Sequence, residues 1–305
     1  MRQRERAEKC ARGELTYNFP VSFCENLVKA AKRAAANTAE GSAVTFKRLH
    51  FTVTVLSSSP LVLEIENFLT DKMLQKVLDS TKKGTWERSI TIDEFGDVLR
   101  DDPNRSSSTM SLDAVLSPSD LASIKRLVAR FTGFEEFDIE YPVTLVMYQQ
   151  DEFYNAHHDA GTVMFRNGNP CEDFTSATSI DDLVVAIPDD QPVRMVSLFV
   201  YLKTHKAGTS FPWLGLTTEA KAGKCVLFAN YCPTLGRLDP RAIHAGVRLD
   251  KAAVPKFGLN IFVTMPPLHI HTLTRTFTHH YQTHAHTHTE STAHTVLRSS
   301  PRRKR

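Results

Sequence analysis

Four short β-rich segments, 143–148, 195–202, 224–228 and 257–265, set the limits on what the chain can fold into. Each is rich in β-branched or aromatic residues and bounded by Gly, Pro or Asp. None is long enough to bury its own apolar side chains, so the segments must pair and pack face to face. Leu61 to Leu69 reads as a further strand running into a turn, after which Thr70 is placed to cap a helix from Asp71 to Lys82. A second helix is expected from Ser117 or Ser119 to about Phe131, with Leu121, Ile124, Leu127 and Val128 recurring at helical spacing. Helices in front of several antiparallel strands predict an α+β protein, a double-stranded β-helix (jelly-roll) barrel flanked by N-terminal helices.

At 305 residues and 41% hydrophobic, the chain has room for one sizeable core plus extensions. Residues 58–266 carry the strand and helix patterns and form the expected domain. Residues 1–57 read as an extension, partly helical or disordered, with Glu25 to Ala36 able to form one amphipathic helix. Residues 267–305 hold eight of the thirteen histidines among threonines, end in Pro-Arg-Arg-Lys-Arg and show no apolar periodicity. Such a composition buries no core and predicts a disordered tail, in which His284, His286 and His288 would bind metal only adventitiously. Residues 85–111 are mostly polar and read as a solvent loop or a flap over a site, and residues 161–192 as an inserted loop.

The formal net charge of +3 comes partly from Arg298, Arg302, Arg303, Lys304 and Arg305, which leaves the body near neutral. No broad basic footprint remains, and no nucleic-acid partner is expected. Five widely spaced cysteines without a Cys-x-x-Cys pair argue against a disulfide framework and against a cysteine zinc site. The charged start is followed by no continuous apolar run, so neither a signal peptide nor a membrane span is expected. A cytoplasmic or nuclear location follows as the expectation.

The chemistry is concentrated in Tyr154-Asn155-Ala156-His157-His158-Asp159-Ala160 and in Ile243-His244-Ala245-Gly246. On an extended chain the period of two turns His157 and Asp159 to one face and His158 to the other. A distant strand can then add His244. His-x-Asp by itself is a weak signal. Two imidazoles and one carboxylate on one face of an octahedral ion leave three positions open, as in non-haem Fe(II) oxygenases, whereas a structural zinc site closes its shell. If 257–263 is a strand, Lys256, Asn260 and Phe262 share one face while Phe257, Leu259, Ile261 and Val263 line the other. Lys256 is then either a buried anion anchor or an ordinary strand-end lysine reaching for water.

Taken in order, the runs from Tyr148 to Asp159, Arg194-Met-Val-Ser197-Leu-Phe-Val-Tyr201-Leu202, Ala207-Gly208-Thr209-Ser210-Phe211-Pro212, Ala222 to Asn230, Asp239 to Gly246 and Lys256 to Asn260 form a pattern. In order and spacing, from about Leu61 to Val263, it resembles the prolyl 4-hydroxylase branch of the 2-oxoglutarate and Fe(II)-dependent dioxygenases. The resemblance implies Fe(II) on His157, Asp159 and His244, with 2-oxoglutarate as co-substrate, O2 as oxidant and ascorbate as a reductant that rescues oxidised iron. It further implies that Lys256 and Tyr148 hold the 2-oxoglutarate carboxylate, that Arg105 and Ser106 belong to a substrate loop, and that a peptide or protein carries the target proline. An endoplasmic reticulum location follows only by family analogy.

The chain departs from the family in four places. Asp151 stands for a glycine, Ala207-Gly208 for a glycine pair, and Phe262 for a tryptophan. The interval from His244 to Lys256 is slightly longer than usual, which keeps Lys251 and Arg248 as alternative anchors. His158 reads as a strand partner and His205 as a surface residue, while Thr209, Phe211 and Pro212 shape a turn and wall. Trp213 is either packing or a substrate contact. The principal reading is therefore an oxygenase hydroxylating peptidyl proline. Set against it are oxygenation of another side chain, a free amino acid or a nucleobase, and a non-catalytic jelly-roll binding module.

Overall fold

The computed structural model describes residues 43–46, 51–92, 98–99, 102–169, 171, 174–187, 192–232, 237–248 and 255–265. The expected helix at Glu25–Ala36, the histidine-rich tail and Lys251 lie outside these residues.

In chain order the strands are β1 (Ala43–Phe46), β2 (Phe51–Ser58), β3 (Leu61–Glu66), β4 (Glu87–Arg88), β5 (Thr91–Ile92), β6 (Val98–Leu99), β7 (Ser108–Ser111), β8 (Thr144–Tyr148), β9 (Tyr154–His157) and β10 (Thr162–Phe165). They continue as β11 (Leu183–Ala186), β12 (Val193–Tyr201), β13 (Thr209–Phe211), β14 (Leu216–Thr217), β15 (Cys225–Ala229), β16 (Tyr231–Cys232), β17 (Arg237–Leu238), β18 (His244–Gly246) and β19 (Lys256–Met265). Nine form one sheet in the order β1-β2-β3-β15-β12-β19-β8-β7-β4, and four form a second in the order β14-β13-β18-β9. The chain passes from the large sheet to the small one at β8–β9 and β12–β13, and back at β14–β15 and β18–β19. The chain is mostly β with two helices, as expected, but no strand pairing joins the two sheets among the described residues, so the expected jelly-roll barrel is not closed.

Two α-helices precede the strands that carry the site. Helix α1 (Asp71–Ser80) starts where the Thr70 hydroxyl accepts from the Met73 N–H at 3.3 Å. Helix α2 (Pro118–Thr132) is capped by Ser117, carries Pro118 in its first turn and ends on Gly133 at φ 75°, a left-handed position that suits glycine. Ile124, Val128 and Phe131 are buried at helical spacing. Phe131 packs edge-on against Phe51 of β2 at 4.9 Å and against Phe68 at 5.5 Å. Each such ring removed from water contributes about 1.5–3 kcal/mol.

The centre is the long antiparallel pair β12 and β19. On β19, Leu259, Ile261 and Val263 are buried on one face, while Lys256, Gly258 and Asn260 occupy the alternate positions. Three expectations change. Residues 51–57, read as part of an extension, belong to the sheet through β2, which pairs with β3. Residues 108–111 form β7, paired with β8, so that part of the expected loop is sheet. The expected inserted loop contains the hairpin β10–β11.

Candidate functional site

Strands β9 and β18 run antiparallel with His157 directly opposite His244, so two imidazoles leave the small sheet side by side, with ring centroids 4.4 Å apart. The strand stops at His157, and a bridge from His158 to Gly161 turns the chain back. That turn brings Asp159 to both rings: Oδ1 lies 3.4 Å from His157 Nε2 and Oδ2 lies 3.6 Å from His244 Nε2. One donor atom from each residue falls within 4.8 Å of the others. His158 is turned away and buried, with Nε2 3.2 Å from the Asp239 carbonyl and Nδ1 accepting from the Ala160 N–H. Burial pushes its pKa down to about 4, so it packs as a neutral ring.

Protonation in this cluster is set by what surrounds it. His157 Nδ1 lies 2.8 Å from the Asn155 carbonyl, and His244 Nδ1 lies 3.1 Å from that of Ala242. A carbonyl only accepts, so each Nδ1 carries a proton and each Nε2 points to the centre. Burial drives His244 down to about 4 despite the nearby Asp159. For Asp159, burial alone would raise the pKa, but His244, His157 and Arg194 together hold it well below the usual carboxylate range. The donor set is two imidazoles and a carboxylate, which fits a divalent iron with open positions.

A second layer fixes this set. The Ser197 hydroxyl donates to Asp159 Oδ2 at 2.6 Å and accepts from Asn230 Nδ2 at 2.9 Å. Asn230 Oδ1 is buried with no hydrogen-bond partner among the described residues. Arg194 donates to the Asp159 backbone carbonyl at 3.3 Å, holds Glu140 through bonds of 2.7 and 2.6 Å, and lies 3.8 Å over the Phe262 ring. Tyr154 stacks on His157 at 3.4 Å and 15°, and the Arg105 guanidinium lies 4.6 Å over the same tyrosine. The sequence reading assigned no role to Ser197, Asn230 or Tyr154. Strand alternation carried the signal for Ser197, which shares an inward parity with Phe199 and Tyr201 on β12.

From these three donor residues a narrow cavity of about 30 Å³ reaches Lys256, lined also by Tyr148, Phe199 and Phe228. Lys256 is 1% exposed and pairs across the sheet with Tyr148. Its Nζ lies 4.6 Å from the centre of the Tyr148 ring and 3.4 Å from the Gly208 carbonyl. No carboxylate of the described residues reaches it, and burial pushes its pKa down to about 8. The contrast is Lys224, equally buried but paired with Glu64 at 3.2 Å and Glu66 at 3.4 Å. Lys256 is therefore a buried cation still owed an anion. Arg248 is exposed and lies over Phe153, outside the cavity. Tyr148 is buried, which raises its phenol pKa.

The departures noted in sequence are absorbed locally. Asp151 sits at φ 64°, a left-handed position that Asp tolerates. A Cβ on Gly208 would run into the Thr218 carbonyl, whereas Ala207 is buried against Val146 and Tyr148. Of the two family glycines, only the one at 208 is needed for close approach.

Beside the cavity opens a groove of about 960 Å³, which shares Tyr154, His157, Asp159 and Asn260 with it. Arg105, Glu140, Tyr141 and Arg194 line the groove. Ser106 does not line it: its hydroxyl accepts from the Phe153 N–H at 2.9 Å and its own N–H donates to the Phe153 carbonyl, so it pins the loop. Trp213 lines neither space and stands 6.4 Å from Phe174, which does line the groove.

No family model and no curated protein matches the chain. Among solved structures it is similar to the viral collagen prolyl hydroxylase of Paramecium bursaria Chlorella virus-1 in complex with 2-oxoglutarate, at 19% identity and a TM-score of 0.45 over 67% of this chain and 96% of that one. It is also similar to a prolyl 4-hydroxylase of Pseudomonas putida, at 16% identity and a TM-score of 0.41, covering 67% and 92%. A Trichoplax adhaerens prolyl hydroxylase bound to a hypoxia inducible factor peptide follows at 12% identity and a TM-score of 0.43, covering 82% and 94%. At these scores the likenesses carry no argument, and function rests on the residues of the site.

Proposed function

We propose that this chain is a 2-oxoglutarate and Fe(II)-dependent dioxygenase of prolyl 4-hydroxylase type, acting on a proline in a peptide or protein. The observation that carries the reading is the cavity joining His157, Asp159 and His244 at one end to the unpaired buried Lys256 at the other. A ligand spanning it needs a metal-chelating head and an anionic tail, the two features of a 2-oxo dicarboxylate. The two sheets and four crossings support a jelly-roll reading of residues 51–265.

His157, Asp159 and His244 would hold the iron, which with 2-oxoglutarate and O2 supplies the oxidising chemistry. Lys256 would neutralise the far carboxylate, and Tyr148 would share its contact. Phe199 and Phe228 exclude water from the cavity. Tyr154, Asp159 and Asn260, common to cavity and groove, mark where a substrate C–H bond meets the oxidising centre. Ascorbate would serve only to return oxidised iron to Fe(II). A second reading, oxygenation of a target other than proline, is kept open by the size of the groove, which admits far more than one imino acid ring.

Succinate release with Fe(II), 2-oxoglutarate, O2 and proline-rich peptides tests the assignment. Peptide-dependent release with hydroxyproline in the product supports it. Release without any peptide dependence would remove the proline substrate, and no release under any condition would leave a binding module. A cytoplasmic or nuclear location remains part of this proposal; no helix among the described residues is long and apolar enough to cross a membrane.

A further inference from the structure

The inner face of β19 is interrupted at Gly258, between Lys256 and Asn260, and the Phe199 ring occupies that gap so closely that no Cβ on residue 258 would fit. Phe199 is only half-buried, because the rest of its ring faces the cavity. Lining the same cavity are Phe228, tilted against His244 at 4.5 Å, and the Tyr148 ring under the Lys256 ammonium. The cavity between these walls measures about 30 Å³, against roughly 10–15 Å³ for a single water.

Resting on the 2-oxoglutarate reading, we infer that Phe199, seated on Gly258, is the residue that fixes the chain length of the 2-oxo diacid. The two ends of such a ligand are held independently, the 2-oxo acid by the metal ligands and the far carboxylate by Lys256. A longer acid therefore cannot slide outward; its extra methylene must buckle sideways. The space into which it would buckle is the space Phe199 fills. A five-carbon diacid spans the ends without buckling, and a six-carbon diacid meets the ring.

The test is calorimetric binding of 2-oxoglutarate and 2-oxoadipate to the full chain loaded with Mn(II) under anaerobic conditions. Wild type is expected to prefer 2-oxoglutarate by roughly tenfold or more, the usual discrimination for one methylene. Phe199→Leu should bring the two affinities within about threefold of each other by admitting the longer acid. Phe199→Met, closer in volume, gives the same readout if the Leu variant loses its fold. A variant that binds 2-oxoglutarate with the wild-type ratio overturns the inference while leaving the function intact. Failure of the wild type to bind either acid overturns the function, and the inference with it.

Discussion

Lys256 and Tyr148 face each other across β19 and β8, with the ammonium 4.6 Å above the ring and no carboxylate of the described residues within ion-pair distance. Burying a cation this way costs stability, and the same burial depresses its pKa. The shift from an ordinary lysine near 10.4 to about 8 corresponds to on the order of 3 kcal/mol. Lys256→Met, similar in length and apolar, should therefore raise the melting temperature of the ligand-free protein while abolishing 2-oxoglutarate binding. A variant that loses both stability and binding would make Lys256 a structural residue.

The same lysine predicts a pH dependence. Below pH 8 it is protonated in both folded and unfolded chains, and the folded state bears the cost. Between about pH 8 and 10.4 the unfolded chain still holds the proton that the folded chain has released, so this residue's contribution to stability rises with pH. Denaturant titrations of wild type and Lys256→Met should accordingly converge as the pH rises through that window. In the opposite sense, 2-oxoglutarate affinity should weaken above pH 8, when the anchor becomes neutral.

Ser197 holds Asp159 from behind and is itself held by Asn230. Ser197→Ala removes the 2.6 Å bond and strands the Asn230 amide. Metal affinity measured by equilibrium dialysis should fall by about 10–100-fold, the range for loss of a ligand's supporting bond. Ser197→Thr keeps the hydroxyl and should restore most of it. Equal affinities for wild type and the alanine variant would show that Asp159 is positioned by its turn alone.

Tyr154 covers the face of His157 through its ring rather than its hydroxyl. Tyr154→Phe should leave metal affinity unchanged, because the stacked area is kept, whereas Tyr154→Ala frees the imidazole and should weaken it by about two- to tenfold, matching the roughly 0.5–1.5 kcal/mol of an aromatic pair. Dialysis of both variants decides between stacking and hydrogen bonding.

Alternation picked out His157 and Asp159 from His158 in sequence, although the strand ends at His157 and a turn brings Asp159 to the rings, while the distant His244 came only with the family pattern. Lys256 was legible for the same reason, once β19 was recognised as a strand. What hid β7 was its polarity: the neighbouring Ser107 is buried against Ser89, hydroxyl to hydroxyl at 2.8 Å, so mutual satisfaction rather than hydropathy places that segment in the sheet. Arg105 and Ser106 looked alike in sequence and part company in space, since only the backbone of Phe153 decides which of them faces the groove. The Phe199–Gly258 contact was equally out of reach, because it depends on the register between β12 and β19.

In the proposed function, His157, Asp159 and His244 hold an iron whose open positions face the cavity ending at Lys256. Anaerobic addition of Fe(II) and 2-oxoglutarate tests it through the weak visible metal-to-ligand absorption. The account predicts that the band forms with wild type, is absent in His157→Ala and Asp159→Ala, and persists in His284→Ala. No band with the wild-type protein, or its loss in the tail variant alone, would contradict it.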